Sequence, residues 1–114
     1  MKRKFDLYLA DIIEAIDRLE EYTCDVDFDA FTKKKMVVDA VLRNLEIIGE
    51  AASQVPEEVK QKHGDIPWRD IQDFRIVVAH HYWRMNLERV WDIVQHKLSS
   101  LREQVQGVLN NEKK

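Results

Sequence analysis

Arg75, His80, His81 and Tyr82 stand close together in the stretch FRIVVAHHYW, positions 74–83. Histidine titrates nearest to neutrality, so it can take up a proton and return it. Arginine stays charged and grips phosphate in a fork. The two together suit cleavage of RNA by internal attack of the 2′-hydroxyl. A base removes the hydroxyl proton, and a cation stabilises the charge that builds on the phosphorus oxygens. That chemistry needs no metal, and the sequence suggests none. It has no H-E-x-x-H, no acidic cluster and no Cys/His spacing of ligand type. Ordinary roles are open too. His80 can be a hydrogen-bonded helix-end residue. Arg75 can pair on the surface with Asp70, Asp73 or a glutamate of another helix. Tyr82 can be half-buried with its hydroxyl in water.

On one helix, Arg75 and Tyr82 share a face, about 10 Å apart along the axis. His80 lies about 140° round from Arg75. Arg75 and His80 converge on one small group if Arg75 uses its length, or if the helix ends or bends near Ala79 and His80. They also converge if two chains pool their residues across a symmetry axis.

The elements that must position these groups are helical. The chain has 114 residues, which fits one domain spanning 1–114 with a core of its own. Only three glycines and two prolines interrupt it, so long helices and little sheet are expected. Phe5, Leu9, Ile12, Ile13, Ile16 and Leu19 recur at helical steps. Asp27 or Asp29 can cap a second helix, which the period carries from about 28 to 54. There Val38, Val41, Leu42, Leu45, Ile48, Gly49 and Ala52 make one stripe, with Arg43, Glu46 and Glu50 roughly opposite. Val37, Ile47 and Ala51 lie off that stripe. This helix is therefore either central in its own bundle or the holder of a dimer contact. A short helix follows Pro56, and Gly64 suits the left-handed position past its end. A fourth helix runs from Pro67 toward Tyr82. Asn86 can cap the last, whose period holds for about six turns from Leu87 to Val108. The sum is all-α, an antiparallel bundle of four to five helices.

The net charge of −3 leaves no footprint for tight nonspecific nucleic-acid binding. A local basic groove stays open, from Lys2, Arg3, Lys4, Arg69, Arg75, Arg84 and Arg89. The run Lys33, Lys34 and Lys35 reads as a solvated helix face. The single Cys24 permits neither an intramolecular disulfide nor a Cys-based metal site. The N-terminal stretch has no apolar run of signal-peptide or membrane-span length, so a cytoplasmic protein without membrane association is expected.

Four stretches carry a resemblance: RNLEIIGEA (43–51), IPWRDI (66–71), RIVVAHHY (75–82) and VWDIV (90–94). In order and spacing they resemble the HepT-like toxins of the HEPN superfamily, over nearly the whole chain. The family's Arg-x4-His-x-Tyr motif falls on Arg75, His80 and Tyr82. The resemblance implies a HEPN bundle, and a homodimer that brings two Arg–His motifs into one cleft. It implies a metal-independent endoribonuclease acting on RNA, the toxin of a type II toxin–antitoxin pair. The partner would be a nucleotidyltransferase antitoxin that transfers AMP to Tyr82. An anion there would occupy the cation and repel RNA phosphates. His81, Arg43, Glu46 and Glu50 would be supporting residues. No cofactor is implied. The chain departs from the pattern at Ile76, where HEPN ribonucleases usually carry a polar residue, often Asn. Isoleucine can neither orient the histidine nor contact phosphate. That opens a second reading, a noncatalytic partner or substrate-binding subunit of a nucleotidyltransferase.

Overall fold

The computed structural model describes residues 4–80 and 87–112, with the backbone alone at His80. Helix α1 spans Phe5–Thr23. Helices α2 (Phe28–Lys33) and α3 (Lys35–Ser53) follow, then α4 (Glu57–Lys62). Helices α5 (Trp68–Gln72) and α6 (Phe74–His80) lead to the motif, and α7 (Leu87–His96) and α8 (Leu98–Glu112) close the bundle. The described residues form an all-α bundle of HEPN-like type.

Helix α3 is the hub. It packs on α1, α2, α5 and α6, while α8 lies on α1. Leu9, Ile12, Ile16 and Leu19 of α1 and Val41, Leu45 and Ile48 of α3 have no exposed surface. Fully burying each such side chain contributes about 1.5–3 kcal/mol. The off-stripe residues of α3 are used inside the chain. Ala51 is buried, and Val37 and Ile47 are half-buried against the core. Of the two readings the period left open, the central position is observed within the chain, with α3 packed between α1 on one side and α5 and α6 on another.

Three helices expected to be continuous are divided. The 28–54 helix breaks at Lys34 (φ −100°, ψ 86°). Asp27 caps its first part by accepting from the Ala30 amide at 2.8 Å. The bend sends Phe31 fully into the core, where its ring meets Trp91 at a centroid distance of 4.9 Å. The Pro67–Tyr82 helix is divided at Asp73. The last helix is divided at Lys97, though Lys97 N→Ile93 O (3.0 Å) and Leu101 N→Lys97 O (3.2 Å) bridge the joint. The apolar period passes through that joint without interruption, so the sequence gives no sign of it.

Gly64 does not take the left-handed position, since no described glycine has positive φ. His63 ends α4 instead, at φ −121°. The left-handed residue is Asp25 (φ 59°), in the α1–α2 turn; aspartate tolerates this better than most side chains. Cys24 is exposed. Asn86, the proposed cap of the last helix, lies outside the described residues. No helix among the described residues is long and apolar enough to cross a membrane.

Candidate active site

Arg75 sits in the first turn of α6, just past the Asp73 joint. The Asp73 amide closes α5 onto Arg69 O at 3.0 Å, and Asp73 O accepts from the amides of Ile76 and Val77 at 2.9 and 3.1 Å. The joint lies directly on α3 at Gly49. A Cβ on Gly49 would stand 2.8 Å from Arg75 Cγ, and 3.2 Å from both Arg75 N and Gln72 O. Glycine is thus what lets the two backbones approach this closely.

The guanidinium is tied down from two sides. Its Nη1 donates to Glu50 Oε2 at 3.2 Å, and its Nε to Gln72 O at 3.4 Å. Earlier on α3, Arg43 Nη1 donates to Glu46 Oε1 at 2.5 Å. Arg75 and Glu50 keep 44% and 59% of their side-chain surface exposed, so water competes for the pair and it holds weakly. A phosphate, whose two free oxygens match the guanidinium fork, can therefore compete with Glu50 for Arg75.

Arg43, Glu46, Glu50 and Arg75 line one cleft of about 430 Å³, floored by Ile47 and Ala51. Four residues singled out in sequence thus come together. Tyr8 and Asp11 of α1 complete the wall, and sequence reasoning missed them. They are three apart and share a helix face. Only the antiparallel pairing of α1 with α3 brings that face here, and no motif within α1 announces it. The cleft carries two cations and three carboxylates among its lining residues.

His80 ends α6, five residues beyond Arg75, and helical geometry turns it about 140° from the Arg75 face. The side chain of His80, and all of His81 and Tyr82, lie outside the described residues. Ile76, next to Arg75, is 52% exposed and contributes no polar group. Among the described residues, no group of three or more His, Cys, Asp or Glu could hold a metal ion.

The helical architecture is that of an all-α, HEPN-like bundle. The family model described as Ribonuclease HepT-like matches residues 12–108. The chain belongs to the HepT-like ribonuclease family. It is 39% identical over 102 residues to the "Probable ribonuclease HepT" of Thermococcus cleftensis, covering 90% of this chain and 93% of that one. It is 34% identical over 110 residues to a Methanocaldococcus jannaschii protein named "Putative RNase", covering 96% and 91%. A second protein of that organism, named "Gamma-glutamylcyclotransferase and putative RNase", is 34% identical over 109 residues. There the match covers 96% of this chain but 49% of the relative, so this chain corresponds to about half of that longer protein. No solved structure matches the chain.

Proposed function

We propose that the chain is a metal-independent endoribonuclease, the toxin of a type II toxin–antitoxin pair acting in the cytoplasm. The observation that carries this is the seating of Arg75 at the mouth of the cleft, by Gly49 and Glu50, in a chain of the HepT-like ribonuclease family. His80 takes the 2′-hydroxyl proton. The 2′-oxygen bonds to phosphorus as the bond to the 5′-oxygen breaks, and a proton returns to the leaving oxygen. Arg75 exchanges Glu50 for the phosphate and stabilises the charge on its free oxygens. Glu50 holds the guanidinium in place between encounters; Arg43 and Glu46 brace the same wall, and His81 is a further supporting group. A homodimer pools two Arg75–His80 sets, which answers the angular gap between them on one helix. A nucleotidyltransferase antitoxin places AMP on Tyr82, and its phosphate competes with RNA for Arg75.

The test is incubation of the chain with RNA in EDTA beside His80→Ala, after intact mass has shown Tyr82 to be unmodified. Cleavage by the parent and its loss in His80→Ala is the expected result. The exposed, apolar Ile76 favours one second reading, a noncatalytic partner of a nucleotidyltransferase that uses Arg75 to hold a phosphate. No cleavage by the folded, unmodified parent, together with a stable complex with the transferase, would establish that reading instead.

A further inference from the structure

A second cleft, of about 370 Å³, lies on the other side of the α5–α6 joint. Lys60 and Gln61 of α4 form one wall, and Arg69 and Gln72 of α5 the other. Trp68 closes its base. That ring is buried, and its Nε1 donates to His63 O at 3.1 Å, which ties the start of α5 to the end of α4.

Arg18, Arg43, Arg75 and Arg102 each hold a carboxylate. Arg69 holds none among the described residues, and its side chain is exposed into this cleft. The Lys60 amine titrates below its ordinary value because burial in the cleft disfavours its charge, an effect Glu57 only partly offsets. Two cations thus face one polar cavity with a single carboxylate, Glu57, among its lining residues. The two clefts share the joint. Gln72 lines this one, and its carbonyl receives the Arg75 guanidinium that lines the other.

We infer that Lys60 and Arg69, with the Gln61 and Gln72 amides, form a second phosphate subsite for the strand whose scissile phosphate Arg75 engages. This rests on the ribonuclease reading above. Gln72 spaces the two subsites, so one nucleic-acid backbone runs over the α5–α6 joint from Arg75 to Arg69. Contacts of this kind position a strand without reading its sequence. The subsite therefore sets how tightly RNA is held and leaves the choice of cut site to the Arg75 cleft.

The test is binding of a fully 2′-O-methylated oligoribonucleotide, which cannot be cut, across a salt series. Each phosphate neutralised on a single strand contributes about 0.7 to the slope of log affinity against log salt. The Lys60→Gln/Arg69→Ala chain should lose about 1.4 of that slope, equally for oligonucleotides of different sequence. Arg69→Ala alone, at an exposed position, should lose about 0.7, so a folding fault at position 60 cannot mask the outcome. Lys33→Gln/Lys34→Gln, which removes the same charge at the α2–α3 corner, should keep the parent slope. A parent that binds, with a double variant of unchanged slope, overturns the subsite and leaves the ribonuclease reading standing. Equal loss in the Lys33/Lys34 chain also overturns it, because net charge alone then explains the effect. A parent that does not bind RNA overturns both.

Discussion

Gly49 and Gly107 make a matched pair for testing how Arg75 is positioned. Both are helical, Gly49 in α3 and Gly107 in α8. In each, alanine removes backbone freedom from the unfolded chain and gains about 1 kcal/mol of helix propensity. At Gly107 a Cβ meets nothing within 4 Å, so the whole gain should appear as added stability. At Gly49 the same Cβ stands 3.2 Å from two backbone atoms of the α5–α6 joint and 2.8 Å from Arg75 Cγ. The joint must then move off α3, at a cost typical of overpacking, about 1–3 kcal/mol. Gly49→Ala should therefore fall between neutral and about 2 kcal/mol destabilised, leaving a gap of about 1–3 kcal/mol between the two variants. Urea unfolding at one fixed protein concentration measures both, with the slope against denaturant checked for constancy. RNA affinity should fall in Gly49→Ala and hold in Gly107→Ala, because only the first displaces Arg75. If Gly49→Ala gains as much stability as Gly107→Ala, the close approach is not a constraint and the account of Arg75 seating is wrong.

Arg102 holds Asp17 through Nε–Oδ1 at 2.6 Å and Nη2–Oδ2 at 3.1 Å, and this hydrogen bonding lowers the Asp17 pKa. A depressed folded pKa means stability that is present above the ordinary carboxylate value of about 3.9 and lost as pH falls through the folded value. Both side chains are substantially exposed, so Asp17→Asn should cost about 0.2–1 kcal/mol at pH 7 in urea unfolding, shrinking to nothing in strong acid; a cost that persists there would point to packing instead. At the end of α8, Glu112 accepts from His63 Nε2 at 3.2 Å and Lys62 Nζ at 3.4 Å, and its pKa is lowered chiefly by the His63 bond. Glu112→Gln should speed amide exchange in the last turn of α8 at neutral pH and leave it unchanged once Glu112 is protonated. Unchanged exchange at neutral pH would mean that this contact does not anchor the helix. Asn44 is 5% exposed; its Nδ2 donates to Ala40 O at 2.8 Å, while its Oδ1 has no partner among the described residues. Asn44→Leu should be neutral or stabilising by about 1 kcal/mol in thermal and urea melts, and a loss beyond that would show that the oxygen is satisfied in the folded protein.

The helical class and most of the core were legible because apolar residues at steps of three and four record which side of a helix is covered. The breaks at Lys34, Asp73 and Lys97 were not, because none involves proline or glycine and the apolar period continues past each. Arg43, Glu46 and Glu50 were legible as one face of α3, and Arg75 through its motif. What they face was not. Tyr8 and Asp11 reach the cleft through helix pairing, which a single sequence records only as length and turn position. Ile76 was legible as a departure from the family pattern, and the structure adds that its side chain is turned to solvent.

The Asp17–Arg102 contact joins residues 85 apart in sequence. The α1–α3 hairpin closes over the short stretch between Thr23 and Lys35. Loop closure over the longer span costs roughly 2 kcal/mol more. The hairpin can therefore form early, with α8 arriving on a scaffold already made. Interactions formed late leave the folding rate almost unchanged and act on unfolding. Weakening the Asp17–Arg102 contact should thus shorten the lifetime of the folded chain while leaving the speed of its assembly nearly as it was.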